Sequence, residues 1–209
     1  MPKRVSTGIP GFDELCGGGL PQGGTYLVVG AAESGKTVFS MQYLVNGARM
    51  FGEAGIFITT EESPRHIRDR FSSWQIEDLE DENMLAVIDA RLSLDMGEVA
   101  AIKDEIGAER AVLDSANPVC FPHPWALLNV SGIMKALDLT SIFTCQTEDM
   151  TAKLAADGLI VLHYLKGGYF ESRGIEIVKM RSSPHSEGVH PFEITEMGIV
   201  VHRIRVFWF

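Results

Sequence analysis

The stretch Thr25-Tyr26-Leu27-Val28-Val29-Gly30-Ala31-Ala32-Glu33-Ser34-Gly35-Lys36-Thr37-Val38 decides the fold. Its opening residues form a short apolar run that ends in a glycine-containing loop, the pattern of a buried strand rather than a helix. Beyond the loop, Val38, Met41, Val45 and Ala48 recur three or four apart, which predicts a helix with one apolar stripe packed on a sheet. Between strand and helix, Gly30 to Thr37 fits the pattern G-x-x-x-x-G-K-[ST]. In that pattern backbone N–H groups wrap phosphates, the lysine reaches the outer phosphate oxygens and the hydroxyl ligates magnesium. The helix that starts there adds the positive end of its dipole. The reading is a P-loop that binds ATP with magnesium, with Gly30, Ala31, Ala32, Glu33, Ser34, Gly35, Lys36, Thr37 and Val38 as the nucleotide-binding run.

Working outward, the alternation repeats. Gly55 to Thr60 and Leu85 to Asp89 read as strands, with a helix from Pro64 to Trp74 between them. A helix near Gly97 to Ile106 leads into the strand Ala111 to Asp114, and a helix over Pro124 to Leu137 leads into the strand Ser141 to Cys145. Such alternation predicts an α/β fold with a mainly parallel sheet covered by helices on both faces. From Gly158 onward the helical pattern stops. Residues 159–164, 174–180, 191–195 and 199–204 read as strands, the last two joined near Glu196-Met197-Gly198, an antiparallel β extension of the same sheet. Residues 1–209 therefore read as one domain.

Composition bounds the function class. With 45% hydrophobic and 22% charged residues in 209, the chain can bury one core and shows no disordered tail. A net charge of -10 argues against a broad basic surface for DNA, though local basic patches stay open. The three cysteines, Cys16, Cys120 and Cys145, are widely spaced, and no apolar run approaches the roughly 20 residues of a membrane span. With no signal-peptide layout at the start, a cytoplasmic protein with free thiols is expected.

Three groups of side chains add chemistry to the loop. Asp114 ends an apolar strand, so its carboxylate belongs at the sheet edge where α/β folds bind ligands; it reads as the magnesium-side acid, or as a helix cap, since Ser115 and Asn117 follow. Glu61 and Glu62 end another strand. They are suited to polarise a water attacking a γ-phosphate, and equally to favour the dipole of the next helix. Lys179 and Arg181 flank Met180 on a strand and point the same way, either toward a ligand or as a basic pair on a sheet edge.

Taken together, Ser6-Thr7-Gly8-Ile9-Pro10-Gly11-Phe12-Asp13-Glu14-Leu15, Gly17-Gly18-Gly19-Leu20-Pro21, the P-loop, Thr59-Thr60-Glu61-Glu62, Leu113-Asp114-Ser115 and Lys179-Met180-Arg181 resemble the KaiC-type ATPases of the RecA superfamily. The resemblance runs from residue 6 to about 201. It implies a RecA-like fold, catalytic roles for Glu61 and Glu62, and magnesium held by Thr37 and Asp114. It also implies a homo-oligomeric, hexameric ring in which Lys179 and Arg181 reach a neighbour's ATP, with turnover coupled to a protein partner. Two departures stand out: Glu33 inside the loop, which either slows hydrolysis or faces solvent or a neighbouring arginine, and Ser182-Ser183-Pro184-His185 after Arg181. The chain has one copy of the domain and no serine-threonine phosphorylation segment, so the clock member's autokinase activity is not implied. The family leaves two alternatives open: a nucleotide-gated scaffold with little hydrolysis, like the archaeal flagellar-motor relative, and a recombinase paralogue modulating DNA repair.

Other features stay open on sequence alone. Cys120 and His123 make too few ligands for zinc and read as a buried thiol and a loop histidine. Gln146 and Glu148 are either γ-phosphate sensors or polar loop residues. The stretch Arg203 to Phe209 either continues the last strand or forms an adhesive apolar patch.

Overall fold

In the computed structural model, residues 3–117, 126–146, 155–167 and 170–202 are described. Cys120, His123, Glu148 and the stretch after residue 202 lie outside them.

The strands are β1 Arg4–Val5, β2 Leu20–Pro21, β3 Thr25–Gly30, β4 Gly55–Thr59, β5 Leu85–Asp89, β6 Arg110–Asp114, β7 Thr140–Cys145, β8 Gly158–Gly167, β9 Phe170–Met180, β10 Val189–Thr195 and β11 Gly198–Val201. The helices are α1 Phe12–Leu15, α2 Lys36–Asn46, α3 Pro64–Arg70, α4 Ile76–Asp81, α5 Met96–Ile106 and α6 Ala126–Ala136. Apart from the small β1–β2 pair, the strands form one nine-stranded sheet in the order β5-β4-β6-β7-β3-β8-β9-β10-β11. From β5 to β8 every pairing is parallel, and from β8 to β11 every pairing is antiparallel. The expected β extension therefore begins where the crossover helices end.

Strand side chains alternate between the two faces, and two separate cores follow from that. Tyr26, Val28, Phe57 and Val112 pack against α2, α3 and α4, while Leu27, Val29, Ile56 and Leu113 pack against α5 and α6. Helices thus cover both faces, as the alternation predicts. Near-continuous apolar runs in the central strands are the consequence of burial on both sides.

The helix expected over Pro64–Trp74 is shorter. Ser63 caps α3 by accepting from His66 N, with Pro64 in the first turn, but the helix stops at Arg70. Ser72 donates its hydroxyl to Asp69 O at 2.9 Å, a local bond that competes with the helix ladder. A single 3₁₀ turn follows over Ser72–Trp74, then Gln75 takes a left-handed φ of 49° and a new helix, α4, begins.

The stretch from Ser6 to Leu15 is a structural clamp. Asp13 accepts from Thr7 N, Thr7 Oγ1 and Gly8 N at 2.9, 2.7 and 3.1 Å. Gly11, at φ +78°, lies so close to β11 that an added Cβ would sit 2.0 Å from Val201 O. On the same side Gln42 of α2 pairs its amide with the backbone of Ile199, at 2.7 and 3.2 Å, and so satisfies part of the sheet edge.

Candidate nucleotide site

The site forms where β3 ends and α2 begins. Gly30 has no room for a side chain: a Cβ there would meet Ser34 Oγ at 2.4 Å and Leu162 O at 2.6 Å. Gly35 takes φ +102°, a conformation that favours glycine, and its position caps α2 without any side-chain hydrogen bond. No acidic residue stands in the first turn of α2, so its orphan N–H groups and dipole are left for an anion. Lys36 curls over the loop and donates from Nζ to Gly30 O at 2.7 Å and Ala31 O at 2.9 Å. Burial pushes the Lys36 ammonium below its usual range, against the opposing pull of Asp114 and Glu61.

Strand order brings Asp114 to this loop. Since β6 neighbours β7, which neighbours β3, the end of β6 lies two strands from the P-loop. Asp114 is buried and accepts from two hydroxyls, Thr37 Oγ1 at 3.0 Å on Oδ2 and Thr144 Oγ1 at 2.6 Å on Oδ1. Burial drives its carboxyl above the ordinary range; the two hydroxyl bonds oppose this, and the Glu62 and Glu61 charges add to it.

A cavity of about 450 Å³ opens over these groups. Ala32, Glu33, Gly35, Lys36, Thr37 and Val38 line one side of it, with Ser34 buried beneath the loop. Asp114, Glu61 and Glu62 line the other, together with Arg70, Gln146 and Ile194. Glu62 pairs with Arg70, Oε1 to Nη1 at 2.7 Å, whereas Glu61 makes no hydrogen bond or ion pair among the described residues. Glu33 takes φ 65° and its backbone carbonyl accepts from Arg173 Nη2 of β9 at 3.4 Å.

The residues present suit a polyphosphate and magnesium. Ser115 Oγ, on the cavity wall, is buried without a hydrogen-bond partner among the described residues. Buried hydroxyls of that kind are rare unless a ligand or water satisfies them. Thr37 and Asp114 supply the hard oxygen donors that magnesium takes in small number, keeping the remainder for water and phosphate.

Lys179 and Arg181 do not join this cavity. Met180 pairs with Gly158, and Gly158 with Tyr26, so the two cations stand at the starting edge of β3. The P-loop lies at its far edge, about 13 Å along the strand. Both side chains turn to the same short segment, Lys179 Nζ to Ala156 O at 2.7 Å and Arg181 Nη1 to Asp157 Oδ1 at 3.4 Å. Asp157 also accepts from Thr25 N and pairs with Lys135 at 2.7 Å, and these partners hold its carboxyl below the usual range against the effect of burial.

Sequence reasoning missed three of these relationships. Thr144 is the second partner of Asp114, and only its place opposite Asp114 on the neighbouring strand would reveal it. Arg70 stands in the cavity wall without any motif to mark it. Arg110 opens an apolar strand, yet its side chain is 0% exposed. It pairs with Glu53, donates to Tyr43 O and Ser6 O at 2.8 Å each, and stacks over the Tyr43 ring at 4.6 Å.

A strand, glycine loop and helix with an acid two strands away, in a parallel sheet extended by antiparallel strands, define a RecA-like P-loop nucleotide-binding protein. The comparisons place it within that class. Residues 5–206 match the family described as ATPase: KaiC, and the chain belongs to that family. It is 33% identical to the circadian clock oscillator protein KaiC of Thermostichus vulcanus over 92% of this chain and 43% of that protein, so it spans less than half of the clock protein's length. A UPF0273 protein of Aeropyrum pernix is 33% identical over 99% of this chain and 96% of its own. Among solved structures, a KaiC-like protein of the hyperthermophilic archaeon Pyrococcus horikoshii superimposes with a TM-score of 0.90 at 33% identity, covering 97% of this chain and 100% of that one. The chain therefore carries an ATP-binding domain of the KaiC ATPase family. Among the described residues no helix is long and apolar enough to cross a membrane.

Proposed function

We propose that the chain, as one domain, hydrolyses Mg-ATP to ADP and phosphate at the interfaces of a homo-oligomeric ring, with turnover coupled to a protein partner. The observation that carries this reading is the convergence in one cavity of Lys36, the Thr37–Asp114 pair and Glu61, which makes no ion pair among the described residues.

In this reading the N–H groups of the loop and the first turn of α2 hold the phosphates, and Lys36 leaves the Gly30 and Ala31 carbonyls to meet the outer phosphate oxygens. Thr37 and Asp114 hold magnesium, which neutralises charge on the phosphate oxygens when bound. Glu61 takes the role of base, accepting a proton from the attacking water, while Glu62 stays paired with Arg70. Lys179 and Arg181 serve the neighbouring subunit's nucleotide; their placement at the opposite sheet edge suits action between subunits and does not suit action within one.

A second reading has one observation in its favour. Glu33 adds a carboxylate to the wall of an anion site, which favours slow turnover and a nucleotide-gated scaffold. Phosphate release measured over a range of protein concentrations, with Lys36→Ala as blank, separates the two. Release per subunit that rises with concentration supports an interface ATPase. Tight ATP binding with no release above the blank leaves the switch.

A further inference from the structure

The tandem acids leave β4 as sequence neighbours, yet the fold treats them differently. Glu62 Oε1 lies 2.7 Å from Arg70 Nη1, with the two side chains 31% and 46% exposed on the cavity wall. Glu61 stands on the same wall without such a partner among the described residues. Arg70 closes α3, the helix that Ser63 caps directly after the tandem. Helical side chains lean toward the helix N-terminus, so an arginine in the last turn of a short helix reaches back to the residue before its cap. The helix itself is anchored from its other side. Arg68 binds Glu80 of α4 through two nitrogens, Nε at 2.7 Å and Nη2 at 2.8 Å, the fork geometry that fixes orientation best. Arg70 is thus held at its backbone and committed at its head.

The charges on the wall give this pair a consequence. Glu33, Glu61, Glu62 and Asp114 all face the cavity, against Lys36 and Arg70. Two neighbouring carboxylates without a counter-charge repel one another and repel an incoming triphosphate. We propose that Arg70 is a positioning residue of the hydrolytic site: it holds Glu62 in a fixed ion pair on the cavity wall and leaves Glu61 as the carboxylate open to the attacking water. Arg70 acts through Glu62 and not on the phosphates. The proposal rests on the reading of the tandem as catalytic carboxylates.

The test is steady-state ATP hydrolysis by the full chain for Arg70→Ala, Arg70→Lys, Glu62→Gln, the double variant Arg70→Ala with Glu62→Gln, and the exchange Glu62→Arg with Arg70→Glu together with each of its two single changes. Mg-ADP affinity and melting temperature are measured alongside for each. Arg70→Ala should lower kcat by about tenfold or more and change KM by less than about threefold, with Arg70→Lys recovering part of the loss. Removing both partners should cost no more than Arg70→Ala alone, and the exchange should be more active than either of its single changes. A role confined to the stability of α3 would lower the melting temperature and leave kcat of the folded protein unmoved. Wild-type turnover that Arg70→Ala leaves intact, or losses that simply add, overturns the proposal alone. A wild-type chain that binds Mg-ADP through Lys36 and turns over no ATP overturns the catalytic reading and the proposal together.

Discussion

Thr37 and Asp114, 77 positions apart in the chain, meet through a hydrogen bond in which the threonine hydroxyl donates to the carboxylate at 3.0 Å. The P-loop motif accounts for one end of that bond and strand order for the other. Because the aspartate is buried, its position burdens the folded chain with a costly charge, which the Thr37 and Thr144 hydroxyl bonds oppose.

That burden has a sign. A carboxyl raised above its ordinary range is harder to ionise folded than unfolded, so stability falls as pH climbs from the ordinary carboxylate range through the raised value. Asp114→Asn should therefore melt at or above the wild type at pH 7, with the gap closing below about pH 4. Its Mg-ATP affinity should fall by about tenfold or more. Thermal melts across pH and calorimetric titration check both halves; a variant that melts lower at pH 7 would show that the Thr37 and Thr144 bonds outweigh the desolvation.

Among the described residues Lys36 Nζ donates to two loop carbonyls, and burial disfavours its charge. Lys36→Ala should weaken ATP by on the order of 100-fold, the worth of losing charge-assisted hydrogen bonds, and leave the melting temperature unchanged or slightly higher. Fluorescent-nucleotide titration and a melting curve decide it.

Gly30→Ala forces a methyl against Leu162 O and Ser34 Oγ. Overpacking of this kind costs about 1–3 kcal/mol, and the loop must shift away from β8 to relieve it. Denaturant unfolding should show the loss together with weakened nucleotide binding. Full affinity at wild-type stability would mean that the loop has slack that the contact distances deny.

Arg181 and Lys36 stand at opposite edges of the sheet, so subunit mixing distinguishes action within a chain from action between chains. Arg181→Ala and Lys36→Ala should each be inactive alone, whereas a mixture should regain part of the turnover at interfaces that join an intact loop to an intact arginine. No recovery after subunit exchange would reject the assignment between subunits.

Arg110 is buried against Glu53, Tyr43 and Ser6 and lines no part of the cavity. Arg110→Ala leaves Glu53 without its partner and should cost about 3–5 kcal/mol of folding stability. Nucleotide affinity of the folded fraction should be retained, which urea titration followed by binding at low temperature would establish.

Much of the candidate site was legible along the chain, for reasons tied to contiguity. The phosphate loop is a run of adjacent residues whose glycines, lysine and hydroxyl act in sequence order, so the motif carries its geometry with it. The parallel region was legible because strands buried on both faces are apolar throughout. The break at Arg70 was not, since a local serine bond and a left-handed Gln75 outweigh a helical pattern that runs on.

Sequence alone thus determined a P-loop on a mainly parallel sheet, an acid at the end of β6, a tandem of acids just after β4 and two cations flanking Met180 where β9 ends. Tertiary structure decided which of these meet. Placing β3 between β7 and β8 sets Asp114 and Thr144 beside the loop and leaves Lys179 and Arg181 at the opposite edge, where β3 starts. The return of α3 gives Glu62 a direct ion pair, which Glu61 does not make among the described residues. The physical reason is range: periodicity and loop chemistry are written in neighbouring residues, whereas the Thr37–Asp114 bond depends on strand order, which brings positions 77 apart within hydrogen-bond distance, and the Glu62–Arg70 pair depends on where α3 stops.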